Sequence, residues 1–262
     1  MKRLFPAALA VLFAAPSFAE PFLARETAQV GKKWDYSVGV FAPLTLAVAD
    51  GLELRAHPLL FLVSPNLDLR KSHWESGLWQ VAGEYGVSVP TPVLKLAQSF
   101  LFPVEGTVGW FLVPHVGAVA SRGEMNANVL SISADLAIGI PLTRTNVGPP
   151  GEPLVPLGAP LLDLELSPML TGYRFRFGGL YDYRLSERWR LRGYADIYVH
   201  GAMPSPWTLR AGANVELRVG KSSRLSAGAV WWNSDQHAID TTTWQHVRSN
   251  DFLPTLDFIW AG

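Results

Sequence analysis

The stretch Tyr173–His200, YRFRFGGLYDYRLSERWRLRGYADIYVH, decides the fold. Ahead of its middle, Tyr173, Phe175, Phe177, Gly179, Tyr181, Tyr183 and Leu185 share one parity, while Arg174, Arg176, Asp182 and Arg184 share the other. Leu180 is the single intruder among the charges. Beyond Ser186-Glu187-Arg188 the alternation resumes, with Trp189, Leu191, Gly193, Ala195, Ile197 and Val199 opposed to Arg190, Arg192, Tyr194, Asp196 and His200. A period of two over this length means extended strands with two chemically different faces. Each run matches the roughly 9–11 tilted residues that cross a bilayer core. A soluble sandwich seldom turns a continuous band of Tyr, Phe and Trp outward. A transmembrane barrel does so by necessity, with apolar groups toward lipid and charge toward the lumen. The hairpin reads as barrel wall.

Bulk composition agrees. Among 262 residues, 22 basic side chains balance 22 acidic ones, which leaves no electrostatic footprint for nucleic acid. Without a cysteine there is no disulfide framework and no thiolate metal site. Charged residues make up 17% of the chain, below the roughly 25% usual in soluble domains. Ten tryptophans fit interfacial girdles, and Trp34, Trp79, Trp110, Trp189, Trp207 and Trp260 all fall near expected strand ends.

The chain divides into residues 1–19, read as a cleaved signal peptide, and residues 20–262, read as one barrel domain. Lys2-Arg3, the apolar run from Leu4 to Ala15 and the small residues Ser17 and Ala19 ahead of Glu20 carry that reading. It directs the chain to the bacterial outer membrane, with outer-membrane lipid and the barrel-assembly machinery as expected partners.

Along the mature chain the pattern predicts strands over 22–30, 34–48, 52–56, 67–74, 78–89, 106–120, 128–140, 161–185, 189–200, 207–219, 224–232 and 252–260. That is an all-β, antiparallel up-and-down barrel of about twelve strands. Thr91 and Pro92 open a short helix expected to run to about Phe102. Short turns near residues 50, 76, 123, 187 and 221 alternate with longer connections over 57–66, 90–105, 141–160, 201–206 and 233–251. Such sidedness belongs to outer-membrane barrels, with tight periplasmic turns and longer external loops. The loop over 57–66 is oddly apolar from Leu59 to Val63. Parity flips across Thr171-Gly172, so either a bulge resets one long strand there, or a turn divides it. The bulge keeps the loop sidedness and places 141–160 outside. The turn dispenses with 22–30 as a strand and reverses every earlier loop.

The signal peptide, the turns Leu185-Ser186-Glu187-Arg188-Trp189 and Ala49-Asp50-Gly51-Leu52-Glu53, and a last strand carrying Leu256, Phe258 and Trp260 resemble bacterial outer-membrane β-barrel proteins. The segment Thr27–Asn66 is similar to proteobacterial barrel proteins in particular. The last strand departs from their usual aromatic ending by adding Ala261-Gly262.

Catalytic chemistry finds little support. None of the six histidines lies in HExxH. The outer-membrane phospholipase pattern His-x-Ser-Asn-Gly is approached at His246-Val247-Arg248-Ser249-Asn250-Asp251. One extra residue there puts His246 and Ser249 on opposite faces of a strand, which defeats proton transfer. The chain is expected not to be an enzyme and to need no cofactor or metal. What remains is the inward charge: Arg174, Arg176, Arg184, Arg190, Arg192, Arg210 and Arg218 against Asp163, Glu165, Asp182, Asp196 and Glu216. Glu53, Arg55, Asp68, Arg70, Glu84, Asp135 and Asp257 carry the same pattern elsewhere. Arginine suits fork-like pairing with carboxylates in a confined space. The leading expectation is a passive pore for small polar solutes. The alternative is a non-conducting structural or surface-interaction barrel with an ion-paired, filled lumen, and a lipid-modifying enzyme comes third.

Overall fold

The computed structural model describes residues 26–61, 64–92, 95, 106–124, 127–144, 146–147, 167–169, 171–200, 207–239 and 244–262. Twelve antiparallel wall strands close on themselves: β1 (Tyr36–Gly39), β2 (Leu44–Ala49), β3 (Leu52–Ala56), β4 (Asn66–Ser76), β5 (Trp79–Ser88), β6 (Phe111–Gly123), β7 (Val129–Ile138), β8 (Tyr173–Arg184), β9 (Trp189–His200), β10 (Trp207–Arg218), β11 (Ser223–Ile239) and β12 (Trp244–Ala261). Each pairs with its sequence neighbours, and β12 returns to β1 through Ser37↔Ala261, Val38↔Trp260 and Gly39↔Ile259. Two-residue ladders decorate the rim, Ile140–Pro141 on β6 and Gly106–Thr107 with Asn146–Val147.

The two faces divide as the parity requires. Phe175, Phe177, Tyr181, Tyr183, Leu191, Ile197, Val215 and Leu256 are exposed on the outside. Asp182, Arg190, Arg192, Asp196 and Glu216 are buried inside. Leu180, out of place in the alternation, turns inward with its strand and is buried. This inversion is what a lipid solvent selects: the apolar face meets hydrocarbon, and closure leaves the backbone without an open edge.

Five short connections lie at one end: Asp50-Gly51, Gly77-Leu78, 124–128, 185–188 and 219–222. Gly51 and Gly77 adopt φ of 73° and 59°, a left-handed geometry that glycine enters without a Cβ penalty. The opposite end carries 40–43, 57–65, 89–110, 139–172, 201–206 and 240–243. The longer connections gather at that end as expected, but two four-residue connections, 40–43 and 240–243, share it, and of 141–160 only 141–144 and 146–147 are described.

The polar loop expected over 233–251 is instead strand to Ile239 and again from Trp244, because the last hairpin continues its ladder up to Ile239↔Trp244, and three further strand assignments change. Residues 26–30 form bends rather than a wall strand, and 22–25 lie outside the described residues. The predicted strand 34–48 is two strands, because the chain reverses over 40–43. Val40 and Ala42 keep their parity through that turn, so alternation alone does not show the break. Asp257 fixes it by accepting hydrogen bonds from the N–H of Phe41 (3.1 Å) and Ala42 (2.9 Å). Of the predicted long strand 161–185, Tyr173–Arg184 is strand, while 161–166 and 170 lie outside the described residues. Ser167–Met169 and Thr171 are helical, and Gly172 donates its N–H to Pro168 O at 2.9 Å. A helical turn, not a bulge within a continuous strand, stands at Thr171-Gly172. The total stays at twelve because the split of 34–48 replaces 22–30. Of the short helix expected from Thr91, Thr91, Pro92 and Lys95 are helical and the rest falls outside the described residues, as does the signal-peptide segment 1–19.

Candidate functional site in the lumen

Three charge networks line the interior, each set by cross-strand register. On β7–β10, Arg176 stands opposite Asp135, and Asp196 opposite Arg210. Arg176 bridges them, with Nε 2.8 Å from Asp196 and Nη1 3.6 Å from Asp135. Arg210 gives Asp196 a two-pronged contact through Nε (2.9 Å) and Nη2 (2.6 Å). Its guanidinium also lies 5.4 Å from the ring centres of both Tyr194 and Tyr198, within cation–π range. Arg174 completes the group, 3.9 Å from Asp135. Gly178 and Gly212 make the room, since a Cβ on either would collide with Asp196 or with the Tyr194 ring.

Nearer the turn end, Asp182 lies between two arginines, 3.0 Å from Arg190 Nε and 2.8 Å from Arg192 Nη2. Asp182 and Arg190 have no solvent exposure. Arg190 also donates to Ala127 O at 3.1 Å. Glu216 stands 3.8 Å from both Arg192 and Arg224. On the opposite wall, Glu84 accepts from Arg70 Nε (2.9 Å) and Arg55 Nη1 (3.0 Å), with Arg70 Nη2 also on the same oxygen. Asp68 stands 3.0 Å from His115 there.

Between these walls runs the segment that precedes β1. Thr27, Ala28 and Gln29 are buried inside the barrel. Ala28 donates its N–H to Ser121 Oγ (2.7 Å), Gln29 Nε2 reaches Gly123 O (3.3 Å), and Arg70 Nη1 reaches Thr27 O (2.6 Å). Ala28 packs against Ala82 and Val119. Glu26, at φ 58°, turns away toward β9, its carboxylate 3.9 Å from Arg192. The segment thus touches β4, β5 and β6 on one wall and β9 on another.

Of the residues expected to line the lumen, Arg174, Arg176, Arg190, Arg192, Arg210, Asp182, Asp196 and Glu216 come together in the first two networks. Arg184 and Arg218 stand at the turn end instead, where they reach the carbonyls of Ser186 (3.4 Å) and of Gly220 and Lys221 (3.0 and 2.9 Å). Asp163 and Glu165 lie outside the described residues. The parity reading omitted Arg224, although its position two residues from Ser226 on an inward face signals it. It also omitted the inward apolar cluster Tyr198, Val230 and Trp232. The buried 27–29 segment carries no sequence signal of its own, being small and mostly uncharged. Among the described residues no group of His, Asp and Glu is disposed to hold a metal ion.

No protein-family model matches the chain. No curated protein matches it either. Among solved structures it is similar to outer-membrane expressed OmpT of Vibrio cholerae, with 8% identity and a TM-score of 0.45 over 84% of this chain and 64% of that one. It is also similar to in-vitro folded OmpT, described as an outer membrane protein of Vibrio cholerae, with 10% identity and a TM-score of 0.43 over 92% of this chain and 72% of that one. The chain thus spans 64% of the length of the first of these structures.

Proposed function

We propose that the protein is a bacterial outer-membrane barrel that does not conduct in the described state: a structural or surface-interaction barrel rather than an open pore. The observation that carries this reading is the seating of Thr27–Gln29 inside the lumen, between the Arg70–Glu84 pair and the Asp182–Arg192 network. Carboxylates and guanidiniums whose charge is spent on one another need no solute to neutralise them. The apolar outer face and the girdle of Trp34, Trp79, Trp110 and Trp260 support placement in the outer membrane, and the signal-like start of the chain supports export.

A passive pore for small polar solutes is the second reading. It is favoured by the polarity of the lumen and by the few hydrogen bonds that hold 27–29 in place. The two readings separate in planar bilayers. The proposal expects silence from the purified wild-type protein. Steady current from the wild type overturns it. Silence in the wild type with current after deletion of residues 20–31 identifies a pore gated by this segment. The enzymatic reading through His246 and Ser249 gains no support from the register: they pair on β12 with His237 and Ser234 of β11, three positions apart, an odd offset that places them on opposite faces of the strand.

A further inference from the structure

The wall is not of equal height around the barrel. β1, β2 and β3 contain 4, 6 and 5 residues, whereas β11 and β12 contain 17 and 18. Five residues rising ~3.3 Å each at a ~45° tilt climb about 12 Å, roughly half of the ~25 Å apolar band of such barrels. The shortfall lies at the long-loop end. β1 and β12 meet at the turn end, where Ser37 pairs with Ala261, but β1 stops at Gly39 opposite Ile259 while β12 continues to Trp244. The last backbone link between them is Val40 N–H to Phe258 O at 3.2 Å, and the Asp257 carboxylate caps the 40–43 turn just above it. Beyond that point no described strand lies beside this edge of β12.

The side chains record the gap. Phe252 and Leu256, on the outward parity, are 74% and 63% exposed. Leu253 has the inward parity of Thr255, Asp257 and Ile259, yet it is 48% exposed, whereas its partner Val230 on β11 is 6% exposed. At that level no described strand lies beside β12 to cover Leu253. Pro254 sits in the same stretch. Residues 258, 260 and 262 direct their backbone polar groups toward β1, and position 254 shares their parity. Proline there removes one N–H from the unpaired edge, the protection that edge strands use against pairing with another chain. The low wall is flanked by apolar groups: Val40, Phe41 and Phe61 are exposed, and Phe61 belongs to the short helix Pro58–Phe61 within the unusually apolar 57–65 loop.

We infer that the gap above β1–β3 is a lateral portal in which the acyl chain of an outer-leaflet lipid lies, passing beside Phe252, Leu253 and Leu256 to reach the inward side of β12. An acyl chain fits because the opening is at hydrocarbon depth and is apolar on both flanks, while Pro254 disfavours a partner strand. The inference rests on the outer-membrane reading given above.

Cysteine-free sequence permits single-site probes. L253C, L256C and S226C, each labelled with bimane and refolded into phosphatidylcholine vesicles, are compared for quenching by phosphatidylcholine carrying a doxyl group on its acyl chain. The portal expects L253C to lose as large a fraction of its fluorescence as L256C, with S226C, buried inside the lumen, unchanged. Quenching of L256C alone overturns the portal and leaves the membrane reading intact. Quenching of L253C by aqueous iodide but not by doxyl lipid also overturns it, since the opening then holds water. No quenching at L256C refutes the membrane reading itself. D251C, inward one step higher on β12, replaces L253C if that variant fails to refold.

Discussion

Asp182→Asn tests the claim that the lumen is held by compensated charge. Asp182 has no solvent exposure and contacts Arg190 at 3.0 Å and Arg192 at 2.8 Å. Asparagine keeps the shape and one acceptor oxygen but removes the charge shared by both guanidiniums. Arg192 retains Glu216 at 3.8 Å, whereas the carboxylate nearest to the fully buried Arg190 is gone. Removing one partner of a buried pair typically costs about 3–5 kcal/mol, because a charge stays buried without its counter-charge. Replacing the ionic group as a whole by apolar side chains of similar volume is often neutral or stabilising. D182N is therefore expected to lose a few kcal/mol in urea titrations of protein refolded into vesicles, followed by tryptophan fluorescence and by heat-modifiable gel migration. The double variant D182L/R190M, which removes that pair together and leaves Arg192 with Glu216, is expected to recover most of that loss. The reasoning fails if D182N unfolds at the wild-type midpoint, or if the double variant is less stable than the single one.

Three further outcomes follow from the same geometry. Arginine at Ala213, on the lipid-facing parity of β10, should cost roughly 2–4 kcal/mol, and arginine at the inward Asn214 much less; equal tolerance in vesicle unfolding would contradict the assigned faces. A cysteine at Leu142 or Gly151 should react with an impermeant maleimide on intact cells, and one at Ser186 only after the outer membrane is opened; the reverse pattern inverts the orientation. The protein should fractionate with the outer membrane and migrate faster on gels unheated than boiled, and recovery from the periplasm without detergent would end the barrel reading.

The β8–β9 hairpin was legible because lipid makes the outward face as demanding as the inward one. Every second residue is constrained on each side, so eleven consecutive partner pairs could be inferred in kind from the sequence. The charge networks were legible for the same reason, since Arg–Asp partners such as Asp196 and Arg210 fall opposite one another once parity is known. The break at 40–43 was not legible. Its apolar parity runs on unbroken, and the carboxylate that stabilises it lies 215 residues away along the chain. Nor was the lumen segment, whose Thr27-Ala28-Gln29 fits by being small and is held largely through backbone atoms. Pro254 within a wall strand argues against that strand until its direction is known; its missing N–H faces the side where no described strand is paired.

The joint between the first and last strands ties these features together. A barrel closes only if its strands tilt, so paired positions climb as they pass round the wall. From Leu52, at the turn-side end of β3, the partners run through Lys71, Gly83, Ala118, Ala134, Phe177, Ile197, Leu209 and Asn233 to Asn250. Asn250 lies 261 − 250 = 11 residues from the end of β12 at Ala261. The tall end of that climb therefore meets the short β1 at the one joint with no covalent turn. Three residue pairs make the joint, against seventeen between β11 and β12. A joint so short would be the weakest part of the wall, and Asp257 reinforces it by holding two N–H groups of the 40–43 turn. The same carboxylate marks where the wall stops. Below it, the backbone pairs and the N-terminal segment occupies the lumen; above it, no described strand lies beside β12, and the inward-parity Leu253 is exposed. Closure at the turn end and access from the side are two consequences of where β1 ends.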